Sequence, residues 1–337
     1  MTVSTFLNNH IQNCASISLQ TIEKYSNFSD IRTRLYKLVT RKDFRKWALD
    51  ESAVTRIKTA INYSLENKTP LKFVLEFGGY KLWRLPSAPS VDFAELFMLC
   101  HYINFLAPIA HFAPYGVCFY FASDDVVVSR MNNIKPDAMN QYCSSFNLLL
   151  KILNPYLPHN LKIELTRLAT LYSSQNELED ELAITFANNK KKFLSWSDEK
   201  KEKMLKRAEL NFCKNGNLAL KDLSKISSAN YLECLNNGAI YHDAFEDCQK
   251  RQDFVLGEDS ILVFCSSIPE ALAIGSSKTS VTKFWTGTGV LQKNENSYIP
   301  RILSPSNFQK LDKNQLSIID IKWELEMPDI LNRIILI

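Results

Sequence analysis

Glycine is scarce in this chain, which has nine glycines among its 337 residues. The loops that cradle nucleotide phosphates need Gly-x-x-x-x-Gly-Lys-Ser/Thr, or Gly-x-Gly-x-x-Gly between a strand and a helix. Neither pattern occurs in the sequence. Nucleotide binding through a standard phosphate loop is therefore not supported.

Net charge is also low. The 40 Lys and Arg residues against 36 Asp and Glu residues give a formal net charge of +4, whereas a dedicated nucleic-acid-binding protein carries a concentrated basic face. Residues 1–20 lack the basic segment followed by an apolar core that marks a secretory signal peptide. We expect a cytoplasmic protein that does not bind nucleic acid.

None of the eight cysteines lies in a Cys-x-x-Cys pair, the spacing typical of zinc sites and redox-active dithiols. Cys100, Cys118 and Cys265 lie within apolar runs, where a free cysteine behaves as a small buried hydrophobic residue. Such cysteines are typical of a reducing compartment. The sequence predicts no metal site and indicates no cofactor.

One apolar segment, residues 93–122, contains a single formally charged residue, Glu95, and is long enough to cross a bilayer. Pro108 and Pro114 interrupt the segment, and proline breaks the hydrogen bonding of a spanning helix. A buried helix that leads into a central strand explains the segment better. We therefore expect no membrane association.

Residues 70–133 contain the pattern around which the rest of the chain is interpreted. An apolar run at residues 71–77 is followed by a polar loop, a long apolar helix and a second apolar strand at residues 116–122. Strand, helix and strand in this order are typical of a parallel βαβ unit. Ligands of such units bind outside the carboxyl ends of the strands, so we expect the functional site there.

The whole chain is predicted to have an α/β, Rossmann-like fold, with a mostly parallel sheet and helices on both faces. Residues 1–68 are interpreted as a helical N-terminal segment packed on the main domain, because their apolar stripes are too narrow for an independent core. Residues 69–337 would form the α/β domain. Its later part, from residue 279, alternates in polarity and predicts a C-terminal β-rich tract.

Two carboxylates follow the second predicted strand. Asp124 and Asp125 come after seven mostly apolar residues, a position where a carboxylate can accept a proton, bind a sugar hydroxyl or hold a metal ion. Aspartate is also favoured in turns, so a structural turn is the alternative interpretation. The residues themselves leave both interpretations open, a functional pair of carboxylates and a structural turn.

Cationic side chains lie in the neighbouring loops. Lys81 and Arg84 follow the first predicted strand together with Trp83, and the donor fork of arginine suits a carboxylate or a phosphate. A solvated surface loop is the alternative. Arg130 follows the acidic pair, and either completes an anion site or pairs with an aspartate. Lys278 could hold a sugar phosphate together with the small hydroxyls near it.

The central stretch resembles the isocyanide (isonitrile) synthases of the pyoverdine/dityrosine biosynthesis superfamily. The matching features run in the same order: an apolar β-run, a loop with Lys81, and a helix that begins after Asp92. A Pro-Tyr-Gly-Val segment at residues 114–117 then leads into a strand that ends in Ser123-Asp124. The family has Ser-Asp-Gly at that strand end.

The chain departs from the family pattern at several positions. Asp125 replaces the glycine of Ser-Asp-Gly, Gly-Tyr-Lys at residues 79–81 replaces Phe-Pro-x-Lys, and residues 112–116 differ from Tyr-x-Pro-Gly. Residues 278–282 are similar in placement to the substrate segment of the family. The resemblance is clear over residues 70–155 and extends to the rest in outline.

The resemblance implies an enzyme of secondary metabolism that converts the α-amino group of an amino acid to an isonitrile. The carbon donor would be ribulose 5-phosphate, with neither metal nor cofactor, and a downstream Fe(II)-dependent oxygenase would act in the same pathway. Asp124, Asp125 and Lys81 would be catalytic. The substrate-binding residues would be Arg84, Trp83, Arg130, Lys278, Thr282 and Trp285.

Two other functions are compatible with the sequence. A metal-dependent nucleotide-sugar transferase would use Asp124-Asp125 to hold Mg²⁺ or Mn²⁺ on a diphosphate. A non-catalytic binding protein could keep the fold without the reaction, because a fold does not fix a function. The departures at Asp125 and at residues 79–80 keep this last interpretation open.

Overall fold

The structure of the protein, a computed structural model, describes residues 1–77, 90–124, 136–203, 228–264, 269–275, 287–312, 314 and 316–337. Four helices precede the first strand: α1 (Val3–Gln12), α2 (Leu19–Ser26), α3 (Ile31–Val39) and α4 (Glu51–Asn67). Each begins after a polar residue whose side chain accepts a hydrogen bond from a first-turn N–H group, which stabilises a helix start. Apolar residues of all four helices join the core that covers the main sheet. The division of the chain at residue 68 stays a prediction.

The central sheet is parallel throughout. Among the described residues its five strands are β1 (Leu71–Phe77), β2 (Val117–Ser123), β3 (Leu161–Arg167), β4 (Ser260–Phe264) and β5 (Leu272–Ala273). They lie in the order β3-β2-β1-β4-β5. Leu71 pairs with Val117, and the register continues to the ends of both strands. The predicted parallel pairing of the first two strands is therefore confirmed.

Helices cover both faces of this sheet, because both faces of its strands are apolar. The helices are α5 (Phe93–Phe112), α6 (Pro136–Leu153), α7 (Gln175–Ser195), α8 (Ser228–Glu246) and α9 (Gln249–Leu256). Phe73 and Phe119 pack on the face with α5 and α6. Val74 and Leu262 pack on the opposite face with α7, α8 and α9. The predicted Rossmann-like α/β fold is confirmed.

Helix α5 is the central helix of the core. It starts at a capping box in which Asp92 and Glu95 satisfy each other's backbone N–H groups, and Tyr142 donates a hydrogen bond to buried Glu95 at 3.1 Å. Length and composition would let this helix cross a membrane, but 89% of its apolar window is buried inside the protein. The sequence predicted this buried helix. Pro108, expected to break the apolar segment, lies within α5 without ending it.

A second sheet forms the C-terminal part of the chain. Its strands are β6 (Thr288–Asn294), β7 (Ser297–Leu303), β8 (Ser317–Asp320) and β9 (Arg333–Leu336), in the order β7-β6-β9-β8, and a short helix α10 (Pro305–Gln309) follows β7. The predicted β-rich tract is confirmed by β6 and β7, which pair antiparallel. The hairpin or paired strands predicted at residues 278–291 lie mostly outside the described residues. The alternation of residues 317–326 predicts a last strand that is an edge or antiparallel one. Strand β8 is at the sheet edge and antiparallel to its neighbour, as predicted, but it ends at Asp320, and the last strand is β9.

Strand β6 touches the beginning of α5 at Gly289. A Cβ atom there would lie 2.3 Å from the backbone carbon of Phe93 and 2.4 Å from the backbone nitrogen of Ala94. Gly289→Ala is expected to lower the free energy of unfolding by about 1–3 kcal/mol, because overpacking forces backbone shifts. Urea unfolding checks this, with Thr288→Ala as the neighbouring control. Equal stability of the two variants would show that β6 and the start of α5 are not closely packed at Gly289.

Candidate functional site

The strand order identifies one edge of the parallel sheet as the candidate site. The chain moves from β1 to β2 and β3 on one side, and then returns to place β4 and β5 on the other side of β1. Ligands of open α/β sheets bind outside the carboxyl ends of the strands at such a reversal. The candidate site therefore lies at the carboxyl ends of β1, β2 and β4.

The structure describes one of the sequence-predicted site residues. Asp124 directly follows β2 and is half-buried at the expected edge. The other predicted residues lie outside the described residues: Lys81, Trp83, Arg84, Asp125, Arg130, Lys278, Thr282 and Trp285. Their segments follow β1, β2 and β5 in the chain. Their predicted assembly around Asp124 stays a prediction.

A buried ion pair joins the end of β1 to α9. Glu76 lies on the same face of β1 as Val74, because side chains alternate along a strand. Its carboxylate accepts a hydrogen bond from the Arg251 guanidinium, and the side chains are 19% and 8% exposed. The guanidinium also lies over the Phe245 ring, 5.1 Å from its centroid. A charge buried this deeply needs such a partner.

Three further charged or polar side chains act on Glu76. Burial raises the pKa of Glu76, the Arg251 cation opposes this, Asp124 and Glu246 raise the pKa further, and His242 lowers it. We call these five residues the carboxyl-edge cluster. A carboxyl group whose pKa is raised by burial and by neighbouring carboxylates is suited to exchange protons closer to neutral pH. The cluster therefore provides acid and base groups at the edge where a ligand is expected.

One turn of α8 brings metal-binding side-chain types together beside the cluster. The Nδ1 atom of His242 lies 3.4 Å from Asp243 Oδ1, and its Nε2 atom lies 3.5 Å from Glu246 Oε1. One potential ligand atom from each of the three residues lies within 4.8 Å of the others. Carboxylate oxygens with an imidazole nitrogen can hold a divalent cation. The expectation of no metal site follows from cysteine spacing, which has no bearing on a group of histidine and carboxylate side chains.

Part of the cluster had a signal in the sequence. Glu76 and Lys72 are the two charged residues of an otherwise apolar predicted strand. His242 and Glu246 have the i, i+4 spacing that places side chains on one helix face. Arg251 had no such signal, because it stands in a polar run, residues 249–253, that is typical of a solvated helix surface. Its burial depends on the packing of α9 against β1.

Comparison with known proteins identifies the fold. No protein-family model matches the sequence, and no curated protein matches it. The structure is similar to the crystal structure of the PvcA protein from Pseudomonas aeruginosa, with a TM-score of 0.55 and 14% sequence identity. The similarity covers 88% of this chain and 98% of that chain. The two proteins therefore share a fold over nearly their whole lengths.

Proposed function

We propose that this protein is an isonitrile-synthase-like enzyme of secondary metabolism. It would convert the α-amino group of an amino acid to an isonitrile and take the carbon from ribulose 5-phosphate. The observation that carries the proposal is the fold, which is similar over 88% of the chain to PvcA, an enzyme of isocyanide synthesis. The motif resemblance around residues 70–133 supports the same reaction.

The carboxyl-edge cluster fits the first chemical step that such a reaction needs. The amine adds to the ketone carbonyl of the sugar phosphate, and loss of one water gives an imine. A base must take protons from the nitrogen, and an acid must protonate the departing hydroxyl. We assign these proton transfers to Asp124 and Glu76, whose pKa is raised by burial.

The polar loops would complete this site. We assign the cations Lys81, Arg84, Arg130 and Lys278 to the substrate phosphate and carboxylate, since arginine binds both groups through paired donors. Asp125 and Lys81 would join the acid and base work, and Trp83, Thr282 and Trp285 would contact the amino acid. We also propose that the enzyme is cytoplasmic and that an Fe(II)-dependent oxygenase consumes its product.

An isotope experiment tests the proposed reaction. The purified protein is incubated with each amino acid and with ribulose 5-phosphate labelled with carbon-13 at every carbon. The expected product is an isonitrile that carries one labelled carbon, detected by mass spectrometry. It should form equally with a metal chelator present. If no amino acid gives a labelled product, the proposed function is wrong.

A variant series then tests the assignment of Asp124. Asp124→Asn is expected to slow product formation at least about 100-fold, because it removes an acid/base group, while the melting temperature stays close to that of the unchanged protein. Asp198→Asn, at an exposed position, is the matched control and should retain activity. A loss of folding in Asp124→Asn without any loss of turnover per folded molecule would make Asp124 a structural turn residue.

The metal-binding geometry of α8 favours one second candidate, a metal-dependent nucleotide-sugar transferase. His242, Asp243 and Glu246 offer converging ligand atoms, and His242 and Asp124 both act electrostatically on Glu76. A ligand that binds only the folded state raises the melting temperature. Stabilisation by Mn²⁺ with a uridine diphosphate sugar would favour the transferase, whereas stabilisation by ribulose 5-phosphate with a chelator would favour the synthase.

A further inference from the structure

A cavity of about 240 Å³ lies between α1, α5 and β7. Phe97 and Cys100 of its wall belong to the core on the α5 face of the sheet, whereas the carboxyl-edge cluster lies on the face covered by α8 and α9. The cavity is therefore separate from the candidate site. It is far larger than the roughly 30 Å³ that one water occupies in the liquid, and smaller than the pockets of about 300–1,000 Å³ that take drug-sized ligands.

Two polar atoms of side chains that line this cavity lack hydrogen-bond partners among the described residues. The Nε2 atoms of His10 and His101 are both buried without a hydrogen-bond partner among the described residues, and both side chains line the cavity. A buried polar atom left unpaired is costly. Both atoms have almost no accessible surface, so a ligand in the cavity would pair with them after a turn of either imidazole ring.

The wall of the cavity selects an uncharged ligand. Within the described part of the chain no Asp, Glu, Lys or Arg lines it. Burial lowers the pKa of His10 and of His101 to about 4, so both imidazoles are neutral at neutral pH. An ion placed here would lose its hydration without gaining a counter-charge. An amino acid, with its two charged ends, is disfavoured for the same reason.

The aromatic and cysteine side chains of the wall favour a planar ring as the ligand. The ring of His10 meets the ring of Phe97 edge to face, with centroids 6.0 Å apart, and such aromatic walls pack well against a further ring. The thiols of Cys14 and Cys100 also line the cavity and add a weakly polar surface. Asn104 is exposed and also lines the cavity, so it marks the mouth.

We propose that this cavity is a second binding site that takes a small, uncharged, single-ring molecule bearing a hydroxyl group, with the Nε2 atoms of His10 and His101 as its hydrogen-bonding partners. A hydroxyl group both donates and accepts a hydrogen bond, so it can pair with either tautomer of an imidazole. The hydroxyl would meet the imidazoles, and the ring would lie against the aromatic and thiol wall.

Calorimetry and ligand-observed nuclear magnetic resonance on the full chain at neutral pH test the proposal with three probes of one ring size. Phenol is expected to bind saturably. Toluene, which replaces the hydroxyl by a methyl group, is expected to bind about tenfold more weakly, because it leaves the nitrogens unpaired. Benzoate, which carries a charge, should not bind measurably. Equal affinities of phenol and toluene, or no binding of phenol, would overturn the proposal whatever the variants show.

Substitutions of residues that line the cavity test whether phenol binds there. His10→Phe and His101→Phe should each remove most of the preference for phenol over toluene, whereas His111→Phe, at an exposed position on the same helix α5, should leave it unchanged. Asn104→Trp should block both ligands at the mouth. Phenol binding that survives all of these changes would locate it elsewhere and overturn the assignment.

Discussion

Arg251→Met is expected to lower the free energy of unfolding by about 3–5 kcal/mol, because it leaves a buried carboxylate without its cation. Arg251 is 8% exposed and pairs with Glu76. Without the guanidinium, Glu76 would still face the carboxylates of Asp124 and Glu246, which already raise its pKa. Methionine fills a similar volume, so lost packing contributes little to the change.

This loss should depend on pH in a defined direction. Burial raises the pKa of Glu76 and Arg251 lowers it, so removing Arg251 raises that pKa further. Above that pKa the folded variant holds Glu76 as a buried carboxylate, and below that pKa it holds Glu76 as a neutral acid. A carboxyl group with a raised folded-state pKa therefore costs stability at high pH, and the cost disappears as the pH falls through that pKa. The difference from the unchanged protein should shrink as the pH is lowered from mildly alkaline to mildly acidic values.

Urea unfolding across this range measures the effect, with two matched comparisons. Arg32→Met removes the exposed pair with Glu66, whose side chains are 52% and 64% exposed, and should cost less than about 1 kcal/mol. The double variant Glu76→Gln/Arg251→Met removes both charges and should recover most of the loss. If Arg251→Met costs no more than Arg32→Met, the buried pair does not stabilise the fold.

Acidification is expected to destabilise the protein through His10 and His101. Burial lowers the pKa of each to about 4 from 6.5, so between these values the unfolded chain binds protons that the folded protein does not. The sign follows from linkage: stability is complete above about pH 6.5 and falls as the pH drops towards 4. A shift of this size corresponds to about 3 kcal/mol for each histidine.

The measurement is the free energy of unfolding at neutral pH and near pH 4.5. Other groups also titrate there, so the decisive quantity is the difference between variants. His10→Phe and His101→Phe should each reduce the acid-induced loss, whereas exposed His111→Phe should not. An acid-induced loss unchanged in both core variants would show that these imidazoles charge freely in the folded protein.

Only part of the carboxyl-edge site could be predicted from the sequence. Asp124 could be placed because it follows an apolar strand, and the ends of parallel strands are where ligands bind. The roles proposed for Lys81, Arg84 and the later loop residues remain predictions, since they lie outside the described residues. Two residues of the cluster had a signal in the sequence. Glu76 is one of two charged residues in a mostly apolar strand, and His242 is spaced i, i+4 from Glu246.

The sequence by itself determined the elements around β1, α5 and β2. Their apolar runs are local, and burial of a continuous apolar run on both faces requires a parallel strand or a core helix. Local pattern therefore sufficed to predict the parallel pairing of β1 with β2. It also predicted that α5 is buried, although α5 has the length and composition of a spanning helix.

Only the tertiary structure decided which strand lies on the other side of β1. That neighbour is β4. Helix α9 directly precedes β4 in the chain, so the position of β4 also places Arg251 next to Glu76, which is 175 residues away in sequence. Nothing local specifies such a contact. From the sequence, Arg251 is expected at the surface. When α9 packs on β1 the side chain is buried, and its ion pair with Glu76 offsets the cost of burying the charge.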